Sequence, residues 1–212
     1  MKFKKLTLAL LSAFVLSCSL QAQNKKSQVE RPKLVVGIIV DQMRWDYLYR
    51  LNDRYGDSGF RRLLNEGFSF ENCMVNYVPS FTAIGHSTVY TGSVPSIHGI
   101  AGNDFTEQAT GRNIYCTEDP KVKTVGIDDP ENKVGKMSPY NLKVTTVTDQ
   151  LKYATNFRSK VIGVSLKDRG SILPAGHAAD AAYWFDTKTG KWITSTYYMN
   201  NLPSWLTQYN SK

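Results

Sequence analysis

The sequence has few features of the disordered, transmembrane or metal-thiolate classes of protein. Its 212 residues contain only three cysteines and three histidines, and they show no low-complexity tract and no internal repeat. The longest apolar run, residues 6–16, is too short for a stable helix across a bilayer. With 42% hydrophobic residues, the chain can form one globular domain with its own core, so disorder is expected only at the ends.

The first residues have the pattern of an export signal. Three lysines precede the apolar run, and small and polar residues follow it as far as Ala22. This pattern predicts a secretory signal peptide over residues 1–22, and hence a periplasmic or secreted protein without a transmembrane span. Residues 15–18 also resemble a bacterial lipobox, which would attach a lipid at Cys18, although Leu16 departs from the usual small residue. Residues 23–31 are a polar lead-in.

The remaining cysteines and the net charge leave several options open. Cys73 and Cys116 can form a disulfide in an oxidising compartment, or they can be two separate buried thiols. The formal net charge of +8 suits an anionic substrate but also fits many other surfaces. There is no basic stripe interleaved with aromatic residues, so we expect no nucleic-acid partner.

Apolar patterning alternates between strand-like and helix-like segments. Residues 34–40 form an apolar, β-branched run typical of a buried parallel strand. We further predict strands at 68–77 and 161–166, helices at 45–66, 82–90, 141–155 and 202–209, a loop-rich segment at 93–136 and a hairpin at 181–196. The order predicts an α/β domain over residues 32–212, with a mostly parallel sheet flanked by helices and a small β-hairpin excursion.

Two polar residues follow predicted strands, where ligands of α/β proteins bind. Asp41 can bind a metal ion there, or it can cap a helix that begins near Gln42. Thr82 lies at a predicted helix start, which favours an anion. Its hydroxyl becomes a useful nucleophile only when it is activated, for instance by a metal ion. The alternative is that Thr82 or Ser80 is simply the helix cap.

Lys167 and Arg169 form a cationic pair after a predicted strand. Residues two apart on extended backbone lie on the same side, so we expect both side chains to reach one ligand. Arg can hold two phosphate oxygens at once, and Lys supplies a point charge. Two cations suit a doubly charged phosphate monoester better than a diester. The alternative is a solvated charge cluster that includes Asp168.

Several of these segments together resemble a known family. The sequence around Thr82, the pattern TG-x-x-P-x-x-HGI at residues 91–100 and the following Asn103 resemble the type I phosphodiesterase/nucleotide pyrophosphatase-like branch of the alkaline phosphatase superfamily. Residues 165–169 resemble the Lys-x-Arg element of the PafA-type alkaline phosphatases in that branch. The resemblance extends over nearly all of residues 33–212.

The resemblance implies a role for each of these residues. It implies that Asp41 is a zinc ligand and that Thr82 is a metal-bound nucleophile, phosphorylated during the cycle. Asn103 would donate to a phosphate oxygen, and Lys167 and Arg169 would hold the phosphoryl group. The complete family site holds two zinc ions. The implied substrates are small phosphate esters, and we expect a monomer. We interpret His86 and His98 as structural.

The sequence supplies only part of such a site. Asp41 and Thr82 are its only predicted zinc ligands, and no further Asp–His pair with ligand spacing occurs. We therefore interpret the chain as the N-terminal portion of an alkaline phosphatase-like domain with an incomplete sheet and little or no activity alone. Two alternatives stay open: a phosphodiesterase or nucleotide pyrophosphatase of the same superfamily, and a non-enzymatic relic or anion-binding domain.

Overall fold

The computed structural model describes residues 32–212. The predicted signal peptide, the polar lead-in and Cys18 lie outside the described residues. The chain divides after Ile39 into a short unit and a larger one, Val40–Lys212, which contains all the helices and strands named below. Within residues 32–212, no helix is both long and apolar enough to cross a membrane.

The first two predicted strands are wrong. Residues 34–40 and 68–77 form no β-strand, and side chains such as Leu34, Val36, Phe68 and Phe70 are exposed. Apolar, β-branched composition expresses a preference for burial in a sheet. A strand forms only where neighbouring strands accept and donate its backbone hydrogen bonds, which composition alone cannot provide.

The long helix predicted at 45–66 is broken into pieces. The structure has α1 (Tyr47–Arg50), a 3-10 turn (Asn52–Arg54) and α2 (Phe60–Glu66). The interruption follows from the turn-forming run at residues 56–59, where Gly59 has a φ of 61° that favours glycine. The helical periodicity of the apolar residues on either side masked this break.

The middle of the chain holds the helix that carries Thr82. The helix predicted at 82–90 is confirmed as α3 (Thr82–Thr91), and it is followed by a short helix, α4 (Pro95–His98). The segment predicted to be loop-rich contains more structure than expected. It includes an antiparallel hairpin of β1 (Asp104–Thr106) and β2 (Asn113–Tyr115), the short strand β3 (Thr124–Val125) and a 3-10 turn (Lys133–Gly135).

The last third of the chain forms most of the main sheet. Its elements are α5 (Val147–Ala154), β4 (Ile162–Ser165), α6 (Asp168–Ala175), β5 (Ala181–Asp186), β6 (Lys191–Ser195) and α7 (Ser204–Asn210). The four strands lie in the order β3-β6-β5-β4. The pair β4–β5 is parallel, and the pairs β5–β6 and β3–β6 are antiparallel. The α/β class is confirmed, and the predicted hairpin β5–β6 continues this sheet, so the sheet is mixed in the described residues.

The strand and helices of this region differ in detail from their predictions. The predicted strand at 161–166 is confirmed as β4, but Ile162 and Val164 are exposed at an edge of the sheet. Helix α5 is shorter than predicted, because a capping box of Thr146 and Asp149 fixes its start. Helix α6 was not predicted. It approaches β4 so closely that a Cβ at Gly163 would lie 2.2 Å from the Ser171 carbonyl oxygen.

One cluster of the core fixes the relative positions of the functional segments. Ala83, Ile100, Cys116, Leu142 and Leu173 pack together and are almost fully buried. Three of them lie near polar candidate residues: Ala83 follows Thr82, Cys116 follows Tyr115, and Leu173 is one helical turn after Arg169. The core therefore holds the starts of α3 and α6 and the end of β2 in one place.

Candidate active site

Thr82 and Asp41 meet at the start of α3. The Thr82 hydroxyl donates a hydrogen bond to Asp41 Oδ2 at 2.9 Å, across 41 positions of sequence. Neither residue is a helix cap: Phe81 precedes α3 as its N-cap, and α1 begins only after Asp46. The capping alternatives are therefore wrong for both residues. Asp41 is exposed and Thr82 is half-buried, so the pair is accessible to a ligand.

Asn103 lies beside the same helix start. Its Oδ1 accepts a hydrogen bond from the Ala83 backbone N–H at 3.0 Å, and its own carbonyl accepts from the Cys116 N–H at 2.9 Å. Because a backbone N–H needs an acceptor, the amide oxygen is the atom that faces Ala83. The Nδ2 hydrogens are thus left as the donors that Asn103 can offer to a ligand.

Lys167 and Arg169 lie at the junction of β4 and α6. The prediction that both are on extended backbone is wrong: Lys167 is the extended N-cap of α6, and Arg169 is already helical. Successive helical residues rotate by about 100°, so strand alternation does not apply to this pair. Lys167 is exposed, and within residues 32–212 no carboxylate lies within 4.0 Å of its ammonium group.

Arg169 is held by a network that the sequence did not reveal. Its Nη1 donates to the Tyr115 hydroxyl at 2.8 Å, and that hydroxyl donates to Asp168 Oδ1 at 2.9 Å. The other oxygen of Asp168 accepts a hydrogen bond from the Thr117 hydroxyl. Tyr115 and Arg169 are 54 positions apart, and nothing in the local sequence around either residue indicates the contact.

The network further favours the charged form of Arg169. Burial opposes the positive charge, but the hydrogen bond to Tyr115 and the negative charge of Asp168 outweigh it and raise the pKa of the Arg169 guanidinium. Burial, and then the charge of Asp168, also raise the pKa of the Tyr115 hydroxyl, which stays protonated. A cation therefore lies in the first turn of α6.

His86 and His98 form hydrogen bonds with other groups of the protein. His86 Nδ1 lies 2.8 Å from the Thr82 carbonyl oxygen, to which it must donate. His98 is fully buried, and its Nδ1 accepts from the Ile100 N–H at 3.1 Å. Its Nε2 then carries the proton and donates to Thr88 Oγ1 at 3.1 Å. Burial lowers the pKa of His98, which favours this neutral form.

The cysteines form no disulfide. Cys73 is exposed and Cys116 is buried, and both thiols are free. Burial, followed by the charge of Asp168, raises the pKa of Cys116 to about 12, so its thiol is protonated and inert. The disulfide alternative is therefore wrong. The alternative of two buried thiols holds for Cys116 but not for Cys73.

Metal ligands are sparse in this part of the protein. Residues 32–212 contain no group of three or more His, Cys, Asp or Glu side chains that could hold a metal ion. Asp41 and Thr82 offer two oxygen atoms that face each other, and a zinc ion generally takes four ligands. The described residues therefore supply at most two of the ligands that a metal ion would need.

Comparison with known proteins identifies the family. Residues 35–212 match the family model described as type I phosphodiesterase / nucleotide pyrophosphatase. The chain belongs to this family. It is 62% identical over 212 residues to a protein of Myroides odoratus named calcium-transporting ATPase, covering 100% of this chain and 37% of that protein. It is 59% identical over 203 residues to alkaline phosphatase PafA of Elizabethkingia meningoseptica, covering 96% of this chain and 37% of that protein.

A solved structure gives the same result for the fold. The crystal structure of an alkaline phosphatase PafA variant superposes with a TM-score of 0.83 at 58% identity, covering 86% of this chain and 35% of that chain. In that variant a threonine is replaced by serine, and an asparagine, a lysine and an arginine by alanine. The chain therefore spans a little over a third of the length of these family members. Alkaline phosphatases are in general metalloenzymes.

Proposed function

We propose that this chain carries the nucleophile and part of the phosphate-binding site of a zinc-dependent phosphatase that hydrolyses phosphate monoesters. The observation that carries the proposal is the hydrogen bond from Thr82 Oγ1 to Asp41 Oδ2 at the start of α3. This contact joins a hydroxyl to a carboxylate at a helix N-terminus, where negative charge is stabilised.

Thr82 is the proposed nucleophile. Its Oγ1 forms a bond to phosphorus, the bond from phosphorus to the alcohol oxygen of the substrate breaks, and that oxygen takes up a proton. Water then hydrolyses the phosphothreonine and releases inorganic phosphate. Zinc held by Asp41 and Thr82 would supply the positive charge that favours loss of the hydroxyl proton.

Three further side chains are proposed to hold the phosphoryl group. Asn103 offers its Nδ2 hydrogens because its oxygen is occupied by Ala83 N–H. Lys167 offers an exposed ammonium group, and Arg169 a guanidinium that stays charged. A monoester carries two negative charges, which two cations balance, and this supports a monoester rather than a diester as substrate.

The spacing of these residues adds support. In the alkaline phosphatase PafA variant the substituted threonine and asparagine are 21 positions apart, and the substituted lysine and arginine are two apart. Thr82 and Asn103 have the same separation here, as do Lys167 and Arg169. Two zinc ions need more ligands than Asp41 and Thr82, and we propose that these lie outside residues 32–212. We further propose export, small phosphate esters as substrates and a monomeric state.

The test is hydrolysis of p-nitrophenyl phosphate, in the presence of zinc, by the longest product of the gene that contains this chain. Thr82→Ala should lower kcat/KM at least about a thousandfold because it removes the attacking oxygen. Thr207→Ala, on the exposed face of α7, is the matched control. Acid quenching should trap phosphate on the peptide containing Thr82. Undiminished turnover by Thr82→Ala would refute the proposal, and turnover by residues 32–212 alone would show that they hold all the ligands required.

A phosphodiesterase is the second candidate, which the description of the matching family favours. The two candidates differ in what the cationic pair contributes. In a monoesterase, Lys167→Ala and Arg169→Ala should lower hydrolysis of p-nitrophenyl phosphate far more than hydrolysis of bis(p-nitrophenyl) phosphate. Equal losses on both substrates would favour the diesterase.

A further inference from the structure

We propose that Tyr115 is a positioning residue for Arg169, and that the hairpin β1–β2 couples Arg169 to Asn103. The proposal rests on the function proposed above only in that Arg169 is taken to hold the phosphoryl group. Tyr115 itself is not proposed to touch the substrate.

The direction of each hydrogen bond in the network is determined by chemistry. A guanidinium can only donate, so the Tyr115 oxygen accepts from Arg169 Nη1 at 2.8 Å. The single hydroxyl proton must then go to Asp168 Oδ1 at 2.9 Å. The Thr117 hydroxyl donates to the second carboxylate oxygen. Tyr115 therefore links the anion to the cation, and its hydroxyl has no proton left for a substrate.

Arg169 has few other contacts that could hold it. Within residues 32–212 no carboxylate lies within 4.0 Å of its guanidinium, and its buried Nε has no hydrogen-bond partner. Asp168 immediately precedes Arg169 in the chain, but it is linked to Arg169 through the phenol oxygen of Tyr115. A long side chain that is held by one hydrogen bond changes its rotamer readily when that bond is lost. The hydrogen bond to the Tyr115 hydroxyl is therefore the contact that restricts the position of the Arg169 guanidinium.

The same hairpin also holds Asn103. Asp104 pairs with Tyr115 at the base of β1–β2, and the Cys116 N–H donates to the Asn103 carbonyl at 2.9 Å. Ile114 and Cys116 anchor this base in the core. The two proposed phosphate-binding groups, from segments more than 60 positions apart, are thus held by two consecutive residues, Tyr115 and Cys116, at the base of one hairpin.

A double-mutant cycle tests the positioning role on p-nitrophenyl phosphate, in the longest product of the gene that contains this chain. Tyr115→Phe removes only the hydroxyl and should lower kcat/KM about tenfold, with a matching weakening of inhibition by inorganic phosphate. In an Arg169→Ala background the same change should have almost no effect, because the group it positions is gone. Tyr209→Phe, an exposed tyrosine of α7, should leave all values unchanged.

The outcomes separate this proposal from the proposed function. If Arg169→Ala does not lower monoester hydrolysis, the proposed function fails. If Arg169→Ala lowers it and Tyr115→Phe acts equally in both backgrounds, or not at all, the positioning role is overturned. Asp168→Asn is the second variant, since it keeps the shape but removes the charge that orients the Tyr115 hydroxyl. It should show the same dependence on Arg169, and additive losses would again overturn the proposal.

Discussion

Asp180 lies where α5, the segment before β4 and the start of β5 meet, and its replacement by asparagine gives a direct test of the packing of this junction. Its Oδ2 accepts from the buried Lys152 Nζ at 2.8 Å and from the Val161 N–H at 2.8 Å. Its Oδ1 accepts from Lys160 Nζ at 3.1 Å. Asp180→Asn keeps the shape of the side chain but removes the charge that pairs with Lys152.

The pKa of Asp180 gives the expected magnitude. Burial tends to raise it, but the hydrogen bonds from Lys152, Val161 and Lys160 outweigh burial and lower the pKa from 3.8 to about 2. A depression of this size corresponds to about 2 kcal/mol of stability at neutral pH. Because the folded-state pKa is the lower one, this stability is fully present above pH ~4 and is lost as the pH falls towards 2, with about half left at pH 3.

The assay is urea unfolding of the wild type and the Asp180→Asn variant between pH 7 and pH 2. The variant should be less stable by about 2 kcal/mol or more at pH 7, since Lys152 is left buried without its anion, and the difference should shrink as the pH falls. Asp128→Asn, at an exposed site, is the control and should change little. A difference below about 0.5 kcal/mol at pH 7, or one that does not change with pH, would refute the reasoning.

Two further predictions follow from local geometry. Gly176→Ala should destabilise the fold by more than about 2 kcal/mol, because Gly176 has a φ of +78° and a Cβ there would lie 2.2 Å from Thr146 Oγ1. Thermal unfolding measures this, with Gly190→Ala, which has a φ of +70° but open space, as a control expected to cost about 1 kcal/mol. A thiol reagent at pH 8 should modify exposed Cys73 quickly and leave Cys116 unmodified until unfolding, since the pKa of Cys116 is about 12. Equal rates for the two thiols would contradict the structure.

Local chemistry explains which elements could be predicted. Helix α3 ends at Gly92 in the left-handed conformation, so its C-terminal bound follows from a nearby residue. The hairpin β5–β6 turns at residues 187–190, where Gly190 has a φ of 70° and the preceding Asp186 accepts hydrogen bonds from the Lys188 and Thr189 N–H groups. Residues 34–40 and 68–77 have strand composition, but whether a strand forms depends on partners distant in sequence, and the prediction failed there.

Motif spacing and residue chemistry are local properties, and they were enough to predict the family, the α/β class and the candidates Asp41, Thr82, Asn103, Lys167 and Arg169. How these residues meet depends on the folded chain. It brought the Thr82 hydroxyl to Asp41, occupied the oxygen of Asn103 with the Ala83 N–H, and placed Arg169 on a helix against Tyr115. These contacts span 20 to 54 positions, and they exist because buried side chains such as Ala83, Cys116 and Leu173 pack into one core.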